Sequence, residues 1–497
     1  MEGLLIRPSN QLLPSGSTRC LLRAAPPSLP GRRRGRCIPD ASRSVHGAHR
    51  GGAAGVTARS ASAPPSSPRR SRSAPPAPGV RTVPIGSILS TPTHPGDTLT
   101  RREKIIYVFI LGTLTALGPF TIDLYLPAFP ALQSDFGVSE AAVQLTLTGT
   151  IIGFASGQLL VGPLSDKIGR RLPLILATTL HVGASIGAAS SDDISMLMLF
   201  RVLQGIGAAG GGVVAMAMVR DLFGGYTLVR MLSYMALVNG MAPIFAPVIG
   251  SQLLLLFPWP GIFWFLACYG VLVIVAVSLF IIETLPKENR RQSGLTVLQR
   301  YRAVLGDRIF IGILLVGGMN FSGLFSYLSA SPFLFQGPYR LSEQQYGVLF
   351  AINSLGIVAG VQISSRVLRR LGPQWVIACA TVVQLVMALL IVAFDQLGLG
   401  FWGTAVPLWF YIMATGFIFP CVQVLALINN GAQAGTAASL LGAATFGTAG
   451  VISPLVGLLG EGIESSTPMA LVMASCIALA IVFLWTVVRP RTVPALH

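Results

Sequence analysis

Charge is scarce in this sequence. Asp, Glu, Lys and Arg make up 11% of its 497 residues, where a soluble protein carries about 25%. So few ions cannot cover a water-facing surface of this size, which argues against a soluble enzyme or a disordered chain for its bulk. Histidine is scarcer, at 5, and His46, His49 and His94 all precede the first apolar run. The clustered His, Asp or Glu of a membrane-embedded enzyme is missing. The six cysteines, at 20, 37, 268, 379, 421 and 476, form no CxxC pair, so neither a zinc site nor a disulfide framework is read from them. No G-x-x-x-x-G-K-S/T occurs, which removes ATP as a direct drive. The expectation is no metal and no organic cofactor.

Apolar residues are abundant, at 52%, with a mean hydropathy of +0.69. An all-α integral membrane protein follows. The net charge of +17 resembles a nucleic-acid signal until it is divided. Residues 1–102 hold sixteen Arg, no Lys and three acids, or +13, and the remainder is only +4. The excess therefore belongs to the segment 1–103, rich in Pro, Ser, Gly, Ala and Arg, which cannot bury a core and reads as a disordered tail. Its composition also suits an organelle transit peptide. A start set too far upstream is the leading reading, although no Met follows Met1 before Met196. Nucleic acid is not expected as a partner.

From Lys104 onward, twelve apolar runs are separated by short polar loops: 104–130, 139–163, 172–190, 195–219, 228–256, 261–282, 309–335, 344–365, 374–394, 402–428, 434–459 and 466–488. Each can cross about 30 Å of hydrocarbon. One set of loops carries sixteen Lys and Arg between Lys167 and Arg491, and the other carries Arg340 alone. The positive-inside rule makes the first set, and both termini, cytoplasmic. The longest internal loop, 283–308, divides the spans into six and six. GPLSDKIGRRLPL (162–174) after the second run is echoed by SSRVLRRLGPQ (364–374) after the eighth. Two pseudo-repeated halves, 104–282 and 309–488, around a central cavity are expected, with a short C-terminus at 489–497.

Four stretches carry a family resemblance: LGTLTALGPFTIDLYLPAFPAL (111–132), GPLSDKIGRR (162–171), LFRVLQGIGAA (199–209) and NGMAPIFAPVIGSQ (239–252). Residues 104–490 resemble a twelve-helix transporter of the major facilitator superfamily, and within it the Bcr/CflA-type (bicyclomycin-resistance) drug:proton antiporters. The fourth stretch departs from the exporter signature at Ala246 and Ser251. The resemblance implies proton-coupled export of small amphipathic drugs or metabolites by alternating access. The alternative is a proton-coupled importer of sugars or organic acids. A small-molecule substrate, a monomer and the bacterial inner membrane are implied, or an organelle membrane if the tail is a transit peptide.

Asp123 and Arg201 are the main ionisable residues inside the spans, and neither should face lipid, where each costs about 2.5–3.5 kcal/mol. Counted along their helices, both lie roughly 12 Å or more from the outer ends, so they can share one layer. A buried carboxylate near a cation can load and lose a proton, and the resemblance implies proton coupling for both. Gln204 shares the face of Arg201, and Gly205 allows close helix approach. Gly162, Asp166, Lys167, Gly169, Arg170, Arg171 and Arg220 form the implied conformational latch, with Asp166 pairing to Arg220. Gly240, Pro243, Pro247 and Gly250 bend the fifth run, which the resemblance reads as gating. Tyr125, Gln204, Asn239, Asn320, Phe325, Tyr327 and Gln423 are candidates for the substrate wall. His181 reads as a packing residue.

Overall fold

The computed structural model of the chain describes residues 95–493, apart from 287, 289, 291–296, 431, 432 and 461. The tail over 1–94, Lys287 and Arg291 of the linker, and residues 494–497 lie outside the described residues. Among these there is no strand, and twelve helical stretches are long and apolar enough to cross a membrane.

In the first half these are α1 (Arg101–Asp123), α2 (Glu140–Ile168), α3 (Arg171–Ala189), α4 (Ile194–Leu222), α5 (Gly225–Leu256) and α6 (Pro260–Phe280). In the second they are α7 (Arg308–Gln336), α8 (Glu343–Leu371), α9 (Pro373–Gln396), α10 (Gly400–Leu427), α11 (Ala434–Ile452) and α12 (Thr467–Phe483). Polar side chains cap many starts. Thr100 and Glu103 form a capping box on α1, Ser342 and Gln345 form one on α8, and Asp193 accepts from Ser195 and Met196 at α4. Each such cap satisfies N–H groups that have no partner within the helix.

The first span is not one continuous helix, as the sequence suggests. It stops at Asp123, makes a 3-10 turn over Leu126–Ala128 and restarts as Phe129–Phe136. The cause is local. Pro127 and Pro130 have no N–H to offer the carbonyls four residues earlier, at Asp123 and Leu126. Pro454 divides α11 from a short continuation, Pro454–Gly460, in the same way. The linker also departs from expectation, because it contains an amphipathic helix over Val297–Leu305. Val304 of that helix is buried, and the helix packs on α7 and α11.

The internal repeat is plain in the packing. α1 packs with α4, α5 and α6, α2 with α4, and α3 with α4 and α6. The second half repeats every pairing: α7 with α10, α11 and α12, α8 with α10, and α9 with α10 and α12. Two crossings are close enough to require glycine. A Cβ on Gly153 or Gly205 would strike the backbone carbonyl of Val202 or Thr150 where α2 meets α4. Gly360 and Gly416 meet the carbonyls of Met413 and Ile357 in the same manner where α8 meets α10. Small residues thus let backbones touch in a medium that gives no hydrophobic push between helices. The halves meet along two seams, α2 with α11 and α5 with α8.

Candidate functional site

Between the halves lies a cavity of about 810 Å³, lined from α1 and α5 on one side and from α7, α8, α10 and α11 on the other. Asp123 is the only carboxylate among the described residues that line it. The break in α1 positions it there: the helix ends on this residue, and the prolines that follow turn the chain away. Asp123 is 5% exposed and forms no ion pair among the described residues. Tyr327 of the second half lines the same cavity.

The cavity wall is aromatic and mostly supplied by the second half. Phe321 stands 4.7 Å from Phe325 and 4.9 Å from Phe446, ring to ring. Phe446 stacks on Phe154 of α2 at 5.1 Å, across the seam between halves. Asn353 donates from Nδ2 to the Tyr327 hydroxyl at 3.0 Å, also at the wall. Such a surface, apolar with a few polar groups, suits amphipathic ligands.

Arg201 does not line the cavity. It is fully buried behind α1, and its Nη1 donates to the Thr121 carbonyl at 2.9 Å and to Gln204 Oε1 at 2.6 Å. Gln204 Nε2 donates to Ser185, whose hydroxyl donates to the His181 carbonyl. His181 Nε2 lies 2.9 Å from Thr121 Oγ1. Thr121 Oγ1 also lies 2.6 Å from the Leu117 carbonyl. The ring of bonds closes on α1, two residues before Asp123. Arg201 Nε and Nη2 have no hydrogen-bond partner among the described residues. They face π-systems instead, with the guanidinium 4.4 Å from the Tyr125 ring centre and 5.6 Å from that of Phe263. Arg201 and Asp123 therefore share a layer without forming a pair.

The remaining candidates divide the same way. Asn239, Phe325 and Tyr327 line the cavity, as do Gly240 and Pro243 of the bend. Tyr125 does not: it is fully buried under Arg201, with its hydroxyl 2.9 Å from Thr146. Gln204 belongs to the network just described. Asn320 is buried and accepts from Gln384 Nε2 at 2.9 Å, away from the cavity. Pro247 and Gly250 pack at the far end of the bend, and a Cβ on Gly250 would strike the Leu124 carbonyl. The sequence reading missed Phe154, Phe321, Phe446 and the Asn353–Ser354 pair. An Asn-Ser pair inside an apolar run was a usable signal, whereas the phenylalanines look like any packed helix face.

A second cavity, about 500 Å³, continues from the first toward the basic loops and shares Asn239, Phe154 and Phe446 with it. Gly162, Asp166, Arg170, Arg220 and Gln423 line it. The expected Asp166–Arg220 pair is not formed. Arg170 sits one helical turn from Asp166 and reaches it at 2.6 Å, while its Nε bonds Asp221 at 2.8 Å. Burial pushes the Arg170 pKa down, but Asp221 and Asp166 outweigh burial and hold it above its ordinary value. Glu283, after α6, accepts from the Arg170 and Arg171 backbone N–H groups at 2.8 and 3.2 Å. Burial pushes its carboxyl up, yet the N–H groups of Arg170, Leu285 and Arg171, with Arg290, hold it below the ordinary value. Gly169 (φ 105°) makes the turn between α2 and α3. Lys167 and Arg171 lie at the same turn, and Arg171 Nη2 donates to the Ser278 carbonyl at 2.6 Å.

The opposite end is closed by contacts between halves. Gln336 Nε2 donates to the Pro127 carbonyl and Gln344 Nε2 to the Ser251 carbonyl, each at 3.2 Å. Phe129 packs on Phe333 with ring centres 5.7 Å apart. The molecule is thus open toward its basic loops and shut at the other end.

The sequence profile of the Major Facilitator Superfamily matches residues 109–454. The chain belongs to that superfamily. An uncharacterized MFS-type transporter of Bacillus subtilis, YdgK, is 34% identical over 377 residues, covering 75% of this chain and 93% of the relative. A bicyclomycin resistance protein homolog of Haemophilus influenzae is 28% identical, covering 77% of this chain and 96% of its own. In fold, the chain is similar to a bacterial homolog of the human lysosomal transporter Spinster in an inward-facing, unoccupied conformation. The TM-score is 0.63 at 14% identity, with 79% of this chain and 98% of that one covered. This superfamily member is a multi-pass membrane transporter acting on small molecules, rather than an enzyme.

Proposed function

We propose that the chain is a proton-coupled exporter of small amphipathic drugs or metabolites. The observation that carries this is Asp123, the one carboxylate among the described residues that line a mostly apolar, aromatic cavity between the two halves. Such a wall holds amphipathic molecules without demanding one shape. A single acid within it gives proton and substrate a common point at which to exclude one another. The relative named for bicyclomycin resistance supports the direction and the substrate class. Export against a gradient needs a drive, and one charge moved through 100 mV supplies about 2.3 kcal/mol.

In this reading the basic loops are cytoplasmic, as are both termini, and the membrane is a bacterial inner membrane. The cavity then faces the cytoplasm, ready to load. Arg201 acts at one remove, holding the α1 backbone beside Asp123. The Asp166–Arg170–Asp221 cluster serves as the half-latch that engages the second half when the cytoplasmic side closes. The proline bend of α5 lets that helix pivot. The proton is the only coupling species invoked, and the working unit is a monomer.

Inverted vesicles carrying the protein, with a proton gradient imposed and dyes and antibiotics added singly, test this. Substrate-dependent loss of the gradient is expected, and Asp123→Asn should abolish it. Loss that persists in Asp123→Asn would move the coupling site elsewhere. No response to any compound would remove the exporter reading.

A further inference from the structure

The closed end holds a cavity of its own, about 210 Å³, with walls from both halves. It shares no lining residue with the central cavity. Glu140 and Gln144, at the start of α2, line it from the first half. Glu464 lines it from the loop before α12, in the second half, and the segment Pro454–Gly460 packs on α2. Much of the remaining wall is apolar, from Phe333, Leu334, Pro338 and Met469. No Lys, Arg or His is among the described residues that line it.

A second observation points to a ligand. Gln144 is 2% exposed, and its Oε1 has no hydrogen-bond partner among the described residues. A buried amide oxygen left without a donor is costly, so this position asks for a donor from outside the chain. Gly457 leaves room for it, since a Cβ there would stand 2.8 Å from that oxygen.

We infer that this pocket binds a primary or secondary organic ammonium ion. The two carboxylates answer its charge, Gln144 Oε1 takes one of its N–H groups, and Phe333 and Met469 cover its carbon skeleton. A divalent metal suits the pocket less well, because it needs six or more oxygens around it and much of this wall is carbon. The acids come from opposite halves, so a bound ion ties the closed end together and has to leave before that end opens. In the transport reading this end faces outward. External or newly exported amines then hold the molecule open to the cytoplasm. Only that consequence rests on the transport reading, and the binding itself does not.

The test is amide hydrogen exchange of the full chain in lipid nanodiscs, read by mass spectrometry, with phenethylammonium as the probe. Slower exchange is expected both at the start of α2, around residues 140–147, and over residues 462–470. The concentration giving half-maximal protection should rise about tenfold in the variant Glu140→Gln with Glu464→Gln. Should that variant not fold, Glu464→Gln alone, at an exposed position, should give a rise of about threefold. Benzyltrimethylammonium has no N–H for Gln144 and should need a higher concentration than phenethylammonium. Equal protection by the two would overturn the assigned ligand class, as would equal protection by magnesium chloride alone. Protection confined to peptides around Asn239 and Phe350 would place the probe in the central cavity and overturn the site. Protection in one half only would overturn the tie between halves. No proton gradient is needed, so a failure of drug–proton exchange in vesicles would sink the transport reading and leave this result standing.

Discussion

The two halves share a scaffold and divide the chemistry. Counting back from Gly205 and Gly416 at the close crossings, Ile412 stands where Arg201 stands, and Thr415 where Gln204 stands. Counting forward from the turn glycines Gly169 and Gly372, His181 and Gln384 are each twelve residues on. The same three-helix junction is therefore built twice, from α1, α3 and α4 and from α7, α9 and α10. In the first half it encloses a guanidinium. In the second it is neutral, with Gln384 Nε2 donating to Asn320 at 2.9 Å and to Thr415 at 2.8 Å. Backbone packing tolerates duplication, because it depends on glycines and small residues. A buried charge does not need duplicating, and each additional one costs several kcal/mol of desolvation. The first half thus carries Asp123 with Arg201 behind it, and the second supplies most of the aromatic wall.

If the scaffold is truly repeated, damage at equivalent glycines should be equally severe. Gly205→Leu and Gly416→Leu each force a side chain into a neighbouring carbonyl, and both should abolish monodisperse protein on size exclusion. A folded product from only one of them would break the equivalence. The division of chemistry predicts a graded second pair. Arg201→Ala opens a hole and strips the donor from the Thr121 carbonyl and Gln204 Oε1, costing about 3 kcal/mol or more. Gln384→Ala strips Asn320 of its donor, while Thr415 keeps its bond to the Tyr411 carbonyl, so about 1–3 kcal/mol is expected. Thermal unfolding in detergent orders the two. A larger loss at Gln384 would mean that the charge is not what organises the first half.

Most of the scaffold is legible in the sequence because apolar runs and loop charges are local signals. Twelve spans, two halves and the long linker follow from them. The break in α1 is less visible: Pro127 and Pro130 are plain in the sequence, but a run of apolar residues continues through them. The Arg201 network was only half legible. Gln204 falls at i+3, within reach, but nothing local joins His181 and Ser185 of α3 to Thr121 of α1. Tyr125 shows the same limit. The sequence offers it as a wall residue, whereas its place beneath a guanidinium depends on α4, which begins about 70 residues later. Phe446 and Phe154 could not be told from packing residues, because the property that matters is the empty space beside them. The partner of Asp166 was misread for a related reason: one helical turn brings Arg170 back to it, and Asp221 rather than Arg220 completes the cluster.

The smallest expected effect concerns the two matching loops. The turn between α2 and α3 is neutralised by acids: Arg170 bonds Asp166 and Asp221, and Glu283 caps the start of α3. The turn between α8 and α9 carries Arg366, Arg369 and Arg370, and α9 has no side-chain cap. Only the first loop should therefore give stability a carboxylate-dependent pH profile. Glu283 has a depressed folded-state pKa, so its contribution is fully present above the unfolded value, near 4.3, and is lost as pH falls through the folded one. The carboxylate is about one-third exposed, and solvent screening keeps the effect small, about 1–2 °C in Tm. The unaltered chain should exceed Glu283→Gln by that margin at neutral pH, and the two should converge below pH 4. A gap that persists in acid would assign the stabilisation to packing at the cap rather than to its charge. The contrast between the loops would then be one of shape alone.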